Sequence, residues 1–476
     1  MDILDWDALD LSALLEAREL SAVELMRATL ERITAVNEDV NAIVSLRDPD
    51  RLLDEARAID QTERRGWLHG MPLAVKDLAN VEGLPTSQGS PLHARTIAPQ
   101  DSVFVERMRR AGALFIGKTN TPEFGLGSHT FNSVHGATRN PYDLTRSAGG
   151  SSGGAAAALA TRMVPVADGS DMMGSLRNPA AWNNVYGFRP TWGRVPSDPD
   201  GDLFLHQLST NGPMGRSPAD IAALLEVMGG WDIRQPHGLL PQMFVDRIRT
   251  NVNGLRIGWL ADWGGAYPTE SGVLDTCEAA LDVFEQLGCQ VEHIEAPFPA
   301  ARLWEAWTTL RSWAIAGNLS PLFANRASRA QLKEEALWEI EQGMALSAMA
   351  VHRASVARSD WFRKALDLFA EVDVLMLPSA QVWPFPVEQR HPVGIAGQEM
   401  DTYHRWMEIV IPVSLIGLPC MSIPAGFGQQ GLPMGMQLVG PPRGDLRVLQ
   451  VAQAWHEATK WPAKHPPRPA QSLRLH

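Results

Sequence analysis

The sequence has few cysteines, fewer basic than acidic residues and no long apolar runs. Each of these shortages argues against a class of protein. Its three cysteines, Cys277, Cys289 and Cys420, are odd in number and lack metal-ligand spacing. Lys and Arg total 42 against 54 Asp and Glu, giving a net charge of −12. This balance provides no basic surface for nucleic acid or an anionic membrane. No apolar stretch approaches the roughly 18 residues of a membrane-spanning helix.

The N-terminus and the composition favour a cytoplasmic globular protein. The first ten residues, MDILDWDALD, are acidic and lack the basic start of a signal peptide. Together with the sparse cysteines, this predicts a reduced compartment without structural disulfides. Hydrophobic residues make up 45% of the 476 residues and charged residues 20%, an ordinary globular balance. Length alone suggests about three domains, but one large α/β domain can hold the same chain.

Alternating strand and helix patterns predict an α/β fold with parallel strands. Ser21 begins a capping box with Glu24, and the helix that follows is expected to run to about Val36. Gly70–Asp77 has the pattern of a short apolar strand that ends on charge. Further predicted strands lie at 113–117, 163–167, 255–260, 290–294, 372–377, 421–424 and 435–439, and further helices at 101–110, 155–159, 270–287, 300–370 (several) and 445–459.

Lys76, at the end of the first predicted strand, is the first candidate for chemistry. A lysine there would be partly desolvated, which lowers its pKa and allows it to act as a base. Because successive strand side chains point to opposite faces, Asp77 is expected to point away from the site of Lys76. A lysine at a strand end can also extend its amine into solvent, so this residue alone leaves both interpretations open.

The glycine-rich segment Ala148–Gly154 contains Ser151 and Ser152 and runs into a predicted helix. Glycines allow close backbone approach, and a capped turn is the simplest interpretation. Ser151 is also central in a G-x-S-x-G pattern, which marks the nucleophile of α/β-hydrolases when a strand directly precedes it. Residues 140–146 are a poor strand sequence, which argues against that role for Ser151.

The segment Asp168–Pro179 contains Ser175 and follows a predicted apolar strand. Its glycines favour a turn that can direct several backbone N–H groups to one point, as an oxyanion hole requires. A lone serine in such a loop is more often an ordinary turn residue.

These three segments together resemble the amidase-signature family of Ser–cisSer–Lys amidases. In that family a strand lysine, a serine in a GGSSGG turn and a serine in a D-x-G-G-S-[IL]-R turn form the catalytic set. Ser151 lies 75 residues after Lys76, and Ser175 lies 24 residues after Ser151, spacings similar to those of the family. The similarity covers about residues 10–460 and includes Gly117–Asn120, Gly187–Pro190 and Gly431–Gly440.

The resemblance implies an α/β amidase-signature fold, a large mixed central sheet covered by helices on both faces. We expect a single domain over residues 1–476. Its expected parts are N-terminal helices at about 10–60, a signature core at about 65–200, a helical substrate-side region at about 300–370, and C-terminal strands and a helix at about 415–460.

The resemblance also implies amide hydrolysis through an acyl-enzyme. Serine is a weak nucleophile that needs an adjacent base, so Lys76 would be the base, Ser151 the proton relay and Ser175 the nucleophile. The peptide bond before Ser151 is expected to be cis. No metal, cofactor or histidine is expected to take part. The backbone N–H groups of Met172, Met173, Gly174 and Ser175 would hold the oxyanion, and Ser152, Asp171 and Arg177 would support the turns.

Met173 departs from the family pattern, which usually has glycine before Gly174. Its side chain is expected to narrow or reshape the pocket, which suggests a subgroup similar to the aminohexanoate cyclic dimer hydrolases. Most of the sixteen tryptophans are expected to be core, while some of Trp182, Trp192, Trp304, Trp307 and Trp313 could line an apolar pocket and so favour an apolar or aromatic acyl group. The expected partner is a small-molecule amide. We expect no nucleic acid and no membrane as partners, and the sequence leaves open whether the chain forms a homodimer.

Three other functions remain open from the residues. The chain could be an amidotransferase subunit that releases ammonia for a partner chain. It could be an α/β-hydrolase that pairs Ser151 with one of thirteen histidines. It could also be a non-catalytic protein whose glycine-rich turn binds an anion at a helix N-terminus, which would leave Lys76 and Ser175 without a role.

Overall fold

An eight-stranded mixed sheet dominates the computed structural model, which describes residues 2–467. Within these residues the helices are α1 Ala8–Ala17, α2 Ala22–Val40, α3 Pro49–Ile59, α4 Val103–Arg110, α5 Gly153–Ala160, α6 Arg177–Trp182, α7 Pro218–Met228, α8 Val273–Gln286, α9 Ala300–Ala324, α10 Arg326–Arg329, α11 Glu334–Met344, α12 Ala348–Glu371, α13 Ile411–Leu415, α14 Asp445–Thr459 and α15 Trp461–Lys464. Short 3₁₀ helices lie at Ile3–Asp5, Glu123–Gly125, Val245–Arg247 and Arg405–Val410.

The strands are numbered in the same way along residues 2–467. They are β1 Ile43–Val44, β2 Pro72–Lys76, β3 Leu114–Thr119, β4 Phe131–Asn132, β5 Gly136–Ala137, β6 Arg139–Asn140, β7 Asp143–Ser147, β8 Val166–Asp171, β9 Tyr186–Arg189, β10 Thr210–Gly215, β11 Arg256–Trp259, β12 Gln290–His293, β13 Val374–Pro378, β14 Gly394–Ile395, β15 Gln398–Glu399, β16 Cys420–Phe427 and β17 Pro433–Val439.

The large sheet has the strand order β12-β11-β13-β17-β16-β9-β10-β8. Its β12, β11 and β13 strands are parallel, as the predicted strand–helix–strand unit at 255–294 requires, and the remaining pairs are antiparallel. Helices cover both faces, with α6 and α8 both packed on β16 and β17. The predicted large mixed sheet is therefore confirmed.

Strands β2 and β3 are parallel, as predicted, but they belong to a separate three-stranded sheet with β1. This small sheet meets the large one where β2 contacts the edge strand β8. At that contact the backbone N–H of Lys76 donates to Asp168 Oδ1 at 3.1 Å. The end of β2 therefore lies beside the middle of β8.

Helix α5 lies between the two sheets, and its composition explains how they approach each other. It contacts β1, β2 and β3 on one side and β8 and β10 on the other, and all eight of its residues are buried. A Cβ on Gly154 would lie 2.3 Å from Asn120 N and 2.7 Å from Ala42 O. Small side chains therefore let the helix pack directly on backbone.

Several predicted boundaries were wrong, and several strands, β7 among them, were not predicted. Helix α2 continues to Val40. Asn37 does not end it, because its backbone remains helical while its side-chain Oδ1 accepts hydrogen bonds from the N–H groups of Ala42 and Ile43. The strand expected at 163–167 runs instead from Val166 to Asp171, since it pairs with β10 up to Asp171. Residues 143–147 form strand β7, whose polar residues are tolerated because most are only partly buried.

The later elements agree with expectation. Residues 300–370 form the helices α9 to α12, and α14 spans Asp445–Thr459 as predicted. The strands expected near 421 and 435 are longer than predicted and pair as an antiparallel hairpin. In the part of the chain between residues 2 and 467, no helix combines the length and the apolar character needed to cross a membrane.

We predict that Gly154→Ala destabilises the protein by about 1–3 kcal/mol, since a methyl group there would meet rigid backbone atoms. Urea unfolding followed by circular dichroism measures the change. Gly238→Ala is the matched control, because the nearest atom to its added Cβ would be 3.5 Å away. Equal stability of the two variants would contradict close packing of α5.

Candidate active site

Lys76 ends β2 in a pocket of serine hydroxyls. Its Nζ lies 2.8 Å from Ser151 Oγ, 2.8 Å from Ser152 Oγ and 3.0 Å from Ser170 Oγ. The side chain is only 1% exposed, so the amine does not reach solvent. Asp77 points elsewhere, as predicted, and accepts from the backbone N–H of Ser87 at 3.1 Å.

Burial determines the protonation of this lysine. It lowers the pKa of Lys76 to about 7, although the nearby carboxylates of Asp168 and Asp171 oppose the shift. Burial also raises the pKa of Asp168 to about 6. A substantial fraction of Lys76 is therefore neutral near pH 7. A neutral amine has one lone pair, which can accept a proton from a neighbouring hydroxyl.

The turn that carries Ser151 is held from several sides. The Gly150–Ser151 peptide bond is cis, as the resemblance implied. Gly149 has a φ of +75°, which favours glycine, and its carbonyl accepts from the N–H of Thr130 at 3.0 Å. Ser128 Oγ donates to the carbonyl of Gly150 at 2.5 Å. These contacts direct the Ser151 hydroxyl towards Lys76.

Two of the alternative functions lose support in this turn. Strand β7 does precede Ser151, contrary to prediction, but the hydroxyl contacts a lysine amine rather than an imidazole. At the start of α5, the N–H groups of Gly153 and Gly154 already donate to Thr130 Oγ1 and Asn120 O. This helix N-terminus therefore does not present those groups to an external anion.

The turn that carries Ser175 is organised by Asp171, the last residue of β8. Its carboxylate accepts from the backbone N–H of Gly174 at 2.9 Å and of Leu176 at 3.1 Å. Gly174 has a φ of +79°, and a Cβ there would lie 2.4 Å from Asn178 Oδ1. The turn therefore requires glycine at position 174, whereas a methionine side chain is tolerated at position 173.

Two buried arginines complete the surroundings of Asp171. Arg177 donates from Nε and Nη2 at 3.0 Å each, and Arg189 donates from Nη1 at 3.2 Å. Burial alone would raise the pKa of Asp171, but the charges of Arg177 and Arg189 lower it below its usual range. Arg177 also donates to the Gln437 side chain of β17. The Ser175 turn is thereby tied to the large sheet.

Of the four N–H groups predicted for the oxyanion hole, that of Gly174 already donates to Asp171. Those of Met172, Met173 and Ser175 remain as candidates. Ser175 is 7% exposed and lines the same cavity as Ser151. The backbone N–H of Ser152 donates to Ser175 O at 3.2 Å, which joins the two turns. The structure shows no direct hydrogen bond between the two hydroxyls, a contact that often forms only when substrate binds.

The cavity above these serines has a volume of about 230 Å³. Its walls are mainly apolar and include Met172, Met173, Leu319 and Met407. Met173 is 3% exposed and faces this space, as expected for a residue that reshapes the pocket. The described residues that line the cavity include no tryptophan, so the tryptophans considered for an apolar pocket do not line this one. Trp182 and Trp307 are fully buried in the core instead.

Sequence reasoning missed several residues of this region. Ser170 contacts Lys76, and Asp168 accepts from the Lys76 backbone, whereas the sequence pattern predicts both to lie in a turn. A strand assignment through Asp171 would have indicated Ser170, because strand residues at fixed spacing share a face. The sequence indicated Arg189 only as part of the Gly187–Pro190 motif and gave it no role of its own.

Comparisons with known proteins agree on one family. The Amidase family model matches residues 24–449. An acylamidase of Rhodococcus erythropolis is 33% identical over 99% of this chain and 98% of its own length. A glutamyl-tRNA(Gln) amidotransferase subunit from Thermus thermophilus is 36% identical over 93% of this chain and 94% of its own.

Solved structures give the same answer. A bacterial aryl acylamidase of the amidase signature family superimposes with a TM-score of 0.89 and 30% identity, covering 97% of this chain and 99% of its own. The 6-aminohexanoate cyclic dimer hydrolase in complex with substrate superimposes with a TM-score of 0.86 and 27% identity, with the same coverage of both chains.

Asp171→Asn is expected to destabilise the protein by about 3–5 kcal/mol, because it leaves two buried arginines without their anion. The free energy of unfolding in urea measures this loss. Asp54→Asn makes the same chemical change at an exposed ion pair with Arg57, where we expect less than about 1 kcal/mol. A small effect at both positions would show that Asp171 does not organise the turn.

Proposed function

The chain belongs to the amidase-signature family, whose fold it shares, and we propose from this premise that it is a serine-dependent amidohydrolase. It would cleave a carboxamide C–N bond through an acyl-enzyme on Ser175, with Ser151 as proton relay and Lys76 as base. The observation that carries this proposal is the 2.8 Å contact of a buried lysine amine with Ser151 Oγ beside the cavity that Ser175 lines.

The proton path follows from the order of these groups. Neutral Lys76 accepts the proton of Ser151, which takes the proton of Ser175 as Ser175 Oγ attacks the amide carbon. The backbone N–H groups of Met172, Met173 and Ser175 are the candidates to stabilise the oxyanion. Ser151 then donates a proton to the leaving amine, and the C–N bond breaks. Water releases the acyl group by the same relay in reverse.

The cavity supports a substrate with an apolar acyl part. Its walls carry methionine, leucine, isoleucine and phenylalanine side chains, which favour hydrocarbon over charged groups. One similar protein is a hydrolase of the 6-aminohexanoate cyclic dimer, and another is an acylamidase. Cyclic and linear amides are both compatible with this lining, and we propose a linear or cyclic amide with an apolar acyl part.

A second candidate is ammonia release within an amidotransferase, because a relative that is 36% identical belongs to such an enzyme. That function would require a companion chain. Assays of the purified chain alone separate the two. Hydrolysis of hexanamide without a partner supports the amidohydrolase, whereas activity on glutamine that appears only with a companion chain supports the amidotransferase.

Labelling with a fluorophosphonate tests the assignment of the serines. We expect the adduct on Ser175, none in Ser175→Ala, and a labelling rate lower by about 10²–10⁴-fold in Lys76→Ala, because the base is lost. Mass spectrometry of peptides locates the adduct. Ser209→Ala is the control, since Ser209 also lines the cavity but lies outside the lysine contacts. An adduct on Ser151 instead would support a different hydrolase mechanism.

The pH dependence tests the base. Burial lowers the pKa of Lys76 to about 7, and only the neutral amine accepts a proton. We therefore expect kcat/KM for hexanamide to rise about tenfold per unit below about pH 7 and to level off above it. Lys333, a half-buried lysine, has its pKa lowered by desolvation to about 8. Lys333→Met should keep the midpoint near 7, and a midpoint that moves in this variant would assign the titration to Lys333.

A further inference from the structure

One wall of the cavity is formed by helix α9, through Arg311, Ile315, Asn318 and Leu319. Their spacing of three to four residues places them on one face of the helix. Arg311 is the charged side chain among the described residues of the lining, and it is only 3% exposed. A buried cation in the wall of a mainly apolar cavity requires an explanation.

The guanidinium of Arg311 is satisfied on two sides and poorly satisfied on the third. Its Nε donates to Glu339 Oε1 at 2.6 Å, and its Nη2 donates to Tyr403 OH at 2.9 Å. Within residues 2–467, the hydrogen-bond acceptor for its Nη1 is the thioether of Met172, with 3.3 Å between Nη1 and Sδ. Thioether sulfur is a weak acceptor. Nη1 is therefore a charged donor of the wall that has only a weak acceptor.

The charge of Arg311 is already balanced. Glu339 is fully buried, and it also accepts from Ser312 Oγ at 2.6 Å and from Tyr403 OH at 2.7 Å. Burial alone would raise the pKa of Glu339, but the charge of Arg311 lowers it. The ring of His404 packs against Tyr403, and burial lowers the pKa of His404 to about 3, so it adds no charge.

This balance separates two kinds of ligand. A substrate carboxylate would bring a second anion to one buried cation and would lose its hydration. A neutral carbonyl gives up less hydration and gains a charge-assisted hydrogen bond from Nη1. Arg311, Met172 and Ser175 line the same cavity, which places this donor in the space that holds the substrate.

We propose that Arg311 selects amide substrates that carry a second, neutral hydrogen-bond acceptor, such as another amide or a ketone, over those that carry a carboxylate. This inference rests on the proposed amidohydrolase function. It narrows the substrate class to neutral amides with an apolar spacer and a further carbonyl group. It also disfavours glutamine, whose carboxylate would meet the Arg311–Glu339 pair.

Two matched substrate series test the selection. The first varies the acyl part, with hexanamide, 5-oxohexanamide and glutaric acid monoamide. The second varies the amine part, with N-pentylacetamide, N-(4-oxopentyl)acetamide and 4-acetamidobutanoate. In at least one series, wild type should prefer the ketone over the alkyl compound by about 10- to 100-fold in kcat/KM, the range of a hydrogen bond to a charged group. The carboxylate should be the poorest substrate.

Substitution of Arg311 then separates recognition from structural support. Arg311→Met should abolish the preference for the ketone, mainly through KM, whereas a merely structural role would lower all three rates equally. Arg353→Met makes the same change on an exposed part of α12 and should keep the preference. Glu339→Gln leaves the guanidinium charge unbalanced, so it should improve the carboxylate relative to the ketone by at least about tenfold.

The inference is wrong if Arg311→Met and wild type show the same ratios in both series, or if wild type prefers the carboxylate. Where turnover is too slow, protection of Ser175 from fluorophosphonate by the same six compounds provides the ratios. Labelling of Ser175 without any such selection would overturn this inference alone. Absence of labelling on Ser175 would instead overturn the proposed function.

Discussion

The buried carboxylate of Asp171 is the constraint on which the site depends. It accepts hydrogen bonds from two backbone N–H groups of the Ser175 turn and from two arginines. A carboxylate with these partners keeps its charge in the interior. Because Arg177 begins α6 and Arg189 ends β9, three elements share one anion. The shape of the turn is therefore determined by the large sheet rather than by the turn itself.

The motifs outside the two serine turns have a common physical purpose. Asn120, in the Gly117–Asn120 stretch, accepts the N–H of Gly154. Arg189, in Gly187–Pro190, donates a hydrogen bond to Asp171. Gln437, in Gly431–Gly440, accepts one from Arg177. Segments far apart in the chain thus hold the same two turns. These contacts hold backbone that has little regular structure of its own.

The sequence predicted many of the elements, because apolar periodicity is a local property. The contact of Lys76 with Ser151 was expected only from the resemblance to the family. It did not predict that β2 and β3 form a separate sheet, since strand patterns do not specify which edge a strand joins. Strand β7 was missed because its polar residues are paired at the surface, where apolar alternation is weak. Arg311 was missed because it contacts Met172 across 139 residues and belongs to no motif.

The proposed base and the proposed nucleophile belong to different sheets. Lys76 ends β2 of the small sheet, whereas Ser175 follows β8 of the large one, and the two strands touch where Lys76 N–H meets Asp168. No short covalent path sets the separation of the two groups. Side chains packed between the two sheets set the distance between these two groups. Substitution of one such side chain can therefore change the rate constant of the reaction without changing any residue that contacts the substrate. The activity of proteins with this fold can therefore diverge through substitutions outside the substrate pocket.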